Sequence, residues 1–188
     1  MLSVVIATDG EERAIAATLS ALVSGAAAGV VRDVVLVARE PSDLLERIAD
    51  ATGCALLPAT GTRGAGLSAG VREARSDWLM FLTPGAIPEH GWIDELAEFV
   101  EGGATRDNGE PVAAVFSRVQ RFSLNPARLI DAIGRALVPG PEQGLVISRR
   151  HYQEVGGHAA EARDPERRLV SRIGRARRVT LRTRVHST

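Results

Sequence analysis

The sequence predicts an α/β protein with a mostly parallel sheet flanked by helices. Three observations predict it. Short apolar runs of roughly five residues alternate with helix-period segments two to three times as long. The early runs are apolar throughout rather than alternating, as strands covered on both faces require. At 188 residues, 45% hydrophobic and 24% charged, the chain suits one domain with a sizeable core and is not disordered.

Leu2–Ala7 reads as the first buried strand. Asp9 and Glu12 have capping-box spacing and open a helix to about Val23. Asp33–Ala38 is a second buried strand, and Pro41-Ser42 opens a helix with Leu44, Leu45, Ile48 and Ala49 on one face. Cys54–Leu57 gives a third strand. The glycine-rich stretch Gly61–Gly70 leads into a helix ending near Arg75, and Trp78–Leu82 is the fourth strand. A helix follows from Gly91 to about Val100, then a polar loop from Gly102 to Glu110. Val112–Phe116 is strand-like, and Asn125-Pro126 looks like the cap and first position of a helix to Val138. Gly144–Ile147 is a short strand, and Ser148 caps a brief helix to Val155. A helix from about Pro165 to Ile173 and a strand near Val179–Val185 complete the order.

Composition removes several chemistries. The single cysteine, Cys54, excludes an internal disulfide and a multi-cysteine zinc site. All 23 basic residues are arginine, which excludes a Schiff-base lysine and a P-loop lysine. The zero net charge hides a gradient: residues 1–110 hold 8 arginines against 17 acids, residues 111–160 hold 6 against 3, and residues 161–188 hold 9 against 3. The basic C-terminal segment has no interleaved aromatics, so nucleic acid is not the expected partner. An anionic membrane surface or a protein partner suits that segment better, and so does a simple solvated face. No run approaches the ~20 apolar residues of a membrane span. The N-terminus lacks a positive leader, and a cytoplasmic protein is expected.

Ligands of open α/β sheets sit outside the carboxyl ends of the strands. The residues to watch are therefore Thr8, Asp9, Gly10 and Glu11, then Arg39 and Glu40, then Thr83 to Ala86. Four segments resemble family-2 glycosyltransferases in order: LSVVIATDGEE, TRGAGLSAGVREARSDWLMFL, PGAIPEHGWIDEL and EQGLVISRRHYQEVGGH. The third and fourth are most similar to a short subgroup often linked to arsenosugar-type biosynthesis. The resemblance implies a GT-A-like, Rossmann-type fold in a single domain over 1–188. Residues 1–101 would form the nucleotide-sugar-binding half and 111–188 the acceptor-side half. It also implies inverting transfer of a sugar from a nucleotide-diphosphate sugar to an acceptor hydroxyl, the acceptor being unassigned.

The departures are as informative as the matches. The family holds Mg²⁺ or Mn²⁺ through an aspartate-x-aspartate motif after the fourth strand, where this sequence has Thr83, Pro84 and Gly85. A hydroxyl, a proline ring and a glycine do not replace two carboxylates around a hard cation, so no metal ligand is assigned. The aspartates that read the nucleotide align with Ala38 and Arg39, and an asparagine of the family aligns with Ser68. Arg39 or Arg63 is placed to neutralise diphosphate directly through bidentate contacts; alternatively Arg39 pairs with Glu40 or Asp43. The resemblance thus implies donor binding by Thr8, Asp9, Glu11, Arg39, Arg63, Ser68, Thr83 and Gly85, with weak or absent metal dependence. The family's catalytic base falls on Glu166 by ungapped counting and on Asp164 by residue type. Either would take the acceptor proton, or either simply stabilises a helix N-terminus.

Two other functions stay open. One is a catalytically inactive binding or scaffolding protein of the same fold, which Thr83–Gly85 favours. The other is a nucleotidyltransferase of related fold, which the missing glycine-rich turn after the first strand disfavours. His90, His151, His158 and His186 lack metal-ligand spacing. The glycines of 61–70 suit close helix packing, Cys54 a small buried hydrophobe, and Trp78 and Trp92 packing anchors. Gly156-Gly157 suits a helix end and turn.

Overall fold

The computed structural model describes residues 1–102, 109, 111–117 and 144–187. The expected helix from Asn125 to Val138 and most of the Gly102–Glu110 loop lie outside these residues. The elements run β1 (Leu2–Thr8), α1 (Glu12–Ala27), β2 (Val31–Ala38), α2 (Asp43–Thr52), β3 (Ala55–Pro58), α3 (Arg63–Glu73) and β4 (Trp78–Leu82). They continue with β5 (Ala86–Pro88), α4 (Trp92–Glu101), β6 (Ala113–Ser117), β7 (Leu145–Ser148), α5 (Arg149–Glu154), α6 (Pro165–Ile173) and β8 (Arg178–Ser187).

The strands lie in the order β3-β2-β1-β4-β7-β6-β8-β5. Strands β3, β2, β1 and β4 are mutually parallel. Beyond β4 the sheet is mixed: β7 runs antiparallel to both β4 and β6, β8 is parallel to β6, and β5 is antiparallel to β8. A helix covers each βαβ crossover of the first half, as local alternation predicts. The antiparallel insertion depends on long-range pairing.

Two hydrophobic clusters, one on each face, explain the uninterrupted apolar strands. Leu2, Val4 and Ile6 of β1 join α1, α2 and α4 through Ile15, Leu19, Leu45 and Leu96. Val5 and Ala7 face the other way, with Leu67 and Val71 of α3, Tyr152 of α5, and Leu169 and Val170 of α6. Successive side chains of a strand point to opposite faces, so both must be apolar when both are covered. Glycines bring α3 close to the sheet. A methyl at Gly70 would lie 2.8 Å from both Val5 and Val37, and one at Gly66 3.0 Å from Val37.

Several boundaries differ from expectation. α1 extends to Ala27, and no capping box opens it: Glu11 is the N-cap residue and makes no side-chain cap. Its carboxylate instead accepts from the Asp9 amide and the Thr8 hydroxyl. β2 begins at Val31, Cys54 precedes β3 and is half-buried, and β5 is an extra three-residue strand. Ser42 does cap α2, accepting from Leu45 N at 3.1 Å, and Pro165 sits in the first turn of α6.

Candidate functional site

A cleft of about 780 Å³ opens at the carboxyl ends of β1 and β4. There the chain leaves β1 toward β2 on one side while β4 lies on the other, which is the switch point where open α/β sheets bind ligands. Its described lining is Glu11 and Ala14 from α1 and the turn before it, Arg63 from α3, Thr83 and Pro84 after β4, and Arg163 to Glu166 at the start of α6.

The turn after β1 is held by its own side chains. Thr8 Oγ1 donates to Glu11 Oε2 at 2.8 Å, and the Asp9 amide donates to the same oxygen at 3.0 Å. The Asp9 amide is the main influence holding the Glu11 carboxyl below the usual carboxylate range. Thr62 caps α3 by accepting from Ala65 N, and its hydroxyl donates to the Ala160 carbonyl. Next to it a methyl on Gly64 would lie 2.3 Å from the Ala159 carbonyl oxygen. Ser68 Oγ donates to the His158 carbonyl at 3.3 Å. These contacts bind the first two turns of α3 to the 158–166 segment, so the two form a single wall.

Arg63 crosses that wall. Its Nε donates to Glu166 Oε1 at 2.7 Å, and its Nη1 lies 3.7 Å from Asp9 Oδ2. The Glu166 side chain is only 13% exposed, so this ion pair is screened little by solvent. Asp164 caps α6, its Oδ1 accepting from the Arg167 amide at 3.0 Å. Arg163, which no sequence motif marks, contributes a second guanidinium to the cleft.

Thr8, Asp9, Arg39 and Arg63 also line a small adjoining pocket with Gly61 and Thr62. The Arg39 side chain is exposed and makes no ion pair with Glu40 or Asp43 among the described residues. Ser68 is committed to His158. Gly85 has φ +83° and its amide donates to the Ala14 carbonyl at 3.1 Å, so it shapes the turn behind Thr83 and Pro84. The structure therefore gathers Thr8, Asp9, Glu11, Arg39, Arg63, Thr83, Asp164 and Glu166 around two adjoining hollows. Ser68 and Gly85 support the walls.

A divalent cation does not fit the exit of β4. Thr83, Pro84 and Gly85 bring no carboxylate there, Glu11 Oε2 is already held by Thr8 and Asp9, and Glu166 Oε1 is paired with the Arg63 cation. Among the described residues no three histidine, cysteine, aspartate or glutamate side chains are grouped to hold a metal.

Behind the cleft, Tyr152 and His158 form a buried pair. The His158 amide donates to Tyr152 Oη at 3.0 Å, and Oη lies 3.0 Å from His158 Nδ1. Phe81 meets the His158 ring edge-on, with centroids 4.7 Å apart. Burial, helped by the charges of Arg172 and Arg63, pushes the His158 pKa down to about 3. The sequence alone suggests a packing or surface role for His158, whose one distinguishing signal is its place directly after Gly156-Gly157. Both glycines have positive φ and return the chain over Tyr152. Among the described residues no helix is long and apolar enough to cross a membrane.

No protein-family model and no curated protein matches the sequence. Solved structures do match. A mannosyltransferase from Pyrobaculum calidifontis, in complex with GDP-Man and Mn²⁺, superposes with a TM-score of 0.66 at 17% identity, covering 95% of this chain and 54% of that one. S. aureus TarS 1–349 superposes with a TM-score of 0.70 at 14% identity, covering 100% and 60%. Glucosyl-3-phosphoglycerate synthase from Mycobacterium tuberculosis, in complex with Mn²⁺, UDP and glucosyl-3-phosphoglycerate, gives 0.64 at 18%, covering 96% and 68%. The chain thus spans about half to two thirds of the length of these structures. Likeness at such identity establishes architecture, and the chain has the GT-A fold of these glycosyltransferases.

Proposed function

We propose that this chain binds a nucleotide-diphosphate sugar in the cleft and transfers the sugar, with inversion, to an acceptor hydroxyl, with little dependence on a divalent ion. One observation carries the reading. In a GT-A fold, Glu11, Arg63, Thr83, Arg163, Asp164 and Glu166 meet in one hollow of about 780 Å³ at the switch point of the sheet. That volume suits a ligand the size of a nucleotide sugar.

The geometry supports the following roles. Arg63 and Arg163 supply positive charge on the wall and Arg39 supplies it at the adjoining pocket, where guanidinium groups meet phosphate oxygens bidentately. Thr83 offers a hydroxyl at the end of β4, while Thr8 holds Glu11 in place at the end of β1. Asp164 or Glu166 takes the acceptor proton as that oxygen attacks the anomeric carbon. Among the described residues Asp164 uses Oδ1 for capping and Glu166 uses Oε1 for Arg63, which leaves each a second oxygen for a substrate.

The same two contacts favour a second reading, in which the fold binds a nucleotide sugar without turning it over. Both candidate bases are already engaged, and the cleft's described lining carries three carboxylates against two guanidinium groups. Calorimetric titration with UDP and GDP, with and without Mn²⁺, tests the binding that both share. The expected result is micromolar affinity that the ion changes little. Tenfold or greater strengthening by Mn²⁺, about 1.4 kcal/mol, overturns the electrostatic part of the reading, and no binding overturns all of it. Donor hydrolysis and transfer by Asp164→Asn and Glu166→Gln then separate the base candidates.

A further inference from the structure

The charge gradient along the sequence becomes a difference between the two faces of the sheet. Helices α1, α2 and α4 cover one face and together carry eight acids against two arginines. Helices α3, α5 and α6 cover the other face and carry seven arginines against three acids. Two of those three acids are already paired, Glu154 with Arg150 and Glu166 with Arg63.

The positive excess gathers on α6 and the chain after it. Residues 167–188 hold eight arginines and no aspartate or glutamate. α6 buries Leu169, Val170 and Ile173, which leaves Arg168 and Arg172 exposed, and Arg175 is exposed in the turn that follows. Arg168 and Arg172 stand four residues apart, an unfavourable spacing for like charges on a helix. Arg172 donates to the carbonyls of Val155 and Gly157, which orders its side chain without cancelling its charge. No carboxylate among the described residues pairs with Arg168, Arg172, Arg175 or Arg177. The helix dipole favours a cation in the last turn of α6, where Arg172 sits, but not Arg168 in its N-terminal half.

A surface that keeps such uncompensated charge is suited to an anionic partner. Exposed Ala176 and Val179 are interleaved with these arginines. Small apolar side chains among guanidinium groups match a phospholipid surface, which offers anionic headgroups above apolar chains. The acidic opposite face is repelled by such a surface, so approach is one-sided. We propose that the outer face of α6 and the turn into β8 dock on an anionic phospholipid bilayer. The first turn of the same helix lines the cleft, so docking holds the cleft close to the membrane. The proposal does not depend on what the cleft binds.

Sedimentation of the full chain with sucrose-loaded vesicles provides the test. Partition onto equal parts phosphatidylcholine and phosphatidylglycerol should be at least tenfold stronger than onto phosphatidylcholine alone, and should fall as salt is raised. The double variant Arg168→Glu/Arg175→Glu should weaken it at least tenfold, and the milder Arg168→Gln/Arg175→Gln at least threefold. Arg13→Glu/Arg47→Glu changes the net charge equally at exposed positions on the other face and should weaken it less than threefold. Absent partition, equal partition onto the two kinds of vesicle, or equal losses in the two glutamate variants overturns the proposal. Retention on immobilised poly-glutamate without vesicle binding also overturns it, and assigns the face to an acidic protein instead.

Discussion

Arg63 and Glu166 are joined at 2.7 Å, which ties the first turn of α3 to the first turn of α6 along the cleft. Arg63→Ala leaves the Glu166 carboxylate nearly buried without its counter-charge. Loss of about 2 kcal/mol in urea unfolding is expected. Glu166→Gln keeps a neutral hydrogen-bond partner for the guanidinium and should lose less than half as much. Equal losses would show that the pair's charge is unimportant to the fold.

Glycines 64 and 70 give a paired test of how the wall is built. A methyl at Gly70 meets side-chain methyls of Val5 and Val37 at 2.8 Å, whereas one at Gly64 meets the Ala159 backbone oxygen at 2.3 Å. Side chains yield more readily than backbone, so both alanine variants are destabilised, by about 1–3 kcal/mol, with Gly64→Ala the worse. Only Gly64→Ala should also weaken UDP binding, because it displaces the segment carrying Arg163 and Asp164. Unchanged affinity in that variant would detach the segment from the site.

Acid should destabilise the protein well before most carboxylates protonate. His158 has a pKa of about 3 when folded against 6.5 ordinarily, so below pH 6.5 the unfolded chain binds a proton that the folded chain refuses. Its contribution to stability is complete above pH 6.5 and declines as pH falls toward 3, by about 2 kcal/mol between pH 6.5 and 5. His151 acts in the same direction, its pKa lowered by burial and by the Arg177 charge. Urea unfolding at pH 7, 6 and 5 should show a slope that His158→Gln reduces. An identical slope in wild type and variant would refute the assignment.

Glu95 of α4 anchors the last strand. Burial works to raise its pKa, but donation from the Thr183 hydroxyl and from the amides of Arg182 and Thr183 outweighs this and holds the carboxyl below its usual range. Glu95→Ala removes the acceptor for these three donors and for Arg182 Nε and should destabilise by about 2–4 kcal/mol, with faster amide exchange at residues 181–185. Unaltered exchange there would mean that β8 holds without α4.

The first half of the fold is legible because its signals are local. β1, β2 and β4 are apolar on both faces, and α6 carries its own start at Asp164-Pro165 and its stop at Gly174. The direction of β7 is not local: nothing in LVIS says that it will insert antiparallel between β4 and β6. β5 is too short to leave a pattern. At the site, the strand ends pointed to Thr8, Glu11 and Thr83, since topology alone puts ligands there. Arg163 sits in an irregular loop with no period to mark it. The capping box expected from Asp9 and Glu12 failed because Glu11 found donors in Thr8 and the Asp9 amide first.

Only three residues separate Leu82 from strand β5, and all of β5 pairs with Val185–Ser187 of β8. Strand β8 is thereby a buckle for the stretch on which Thr83 and Pro84 ride. A proteolytic nick near Arg184 would slacken the floor of the hollow although it touches none of its lining, and damage there would masquerade as a defect in ligand recognition.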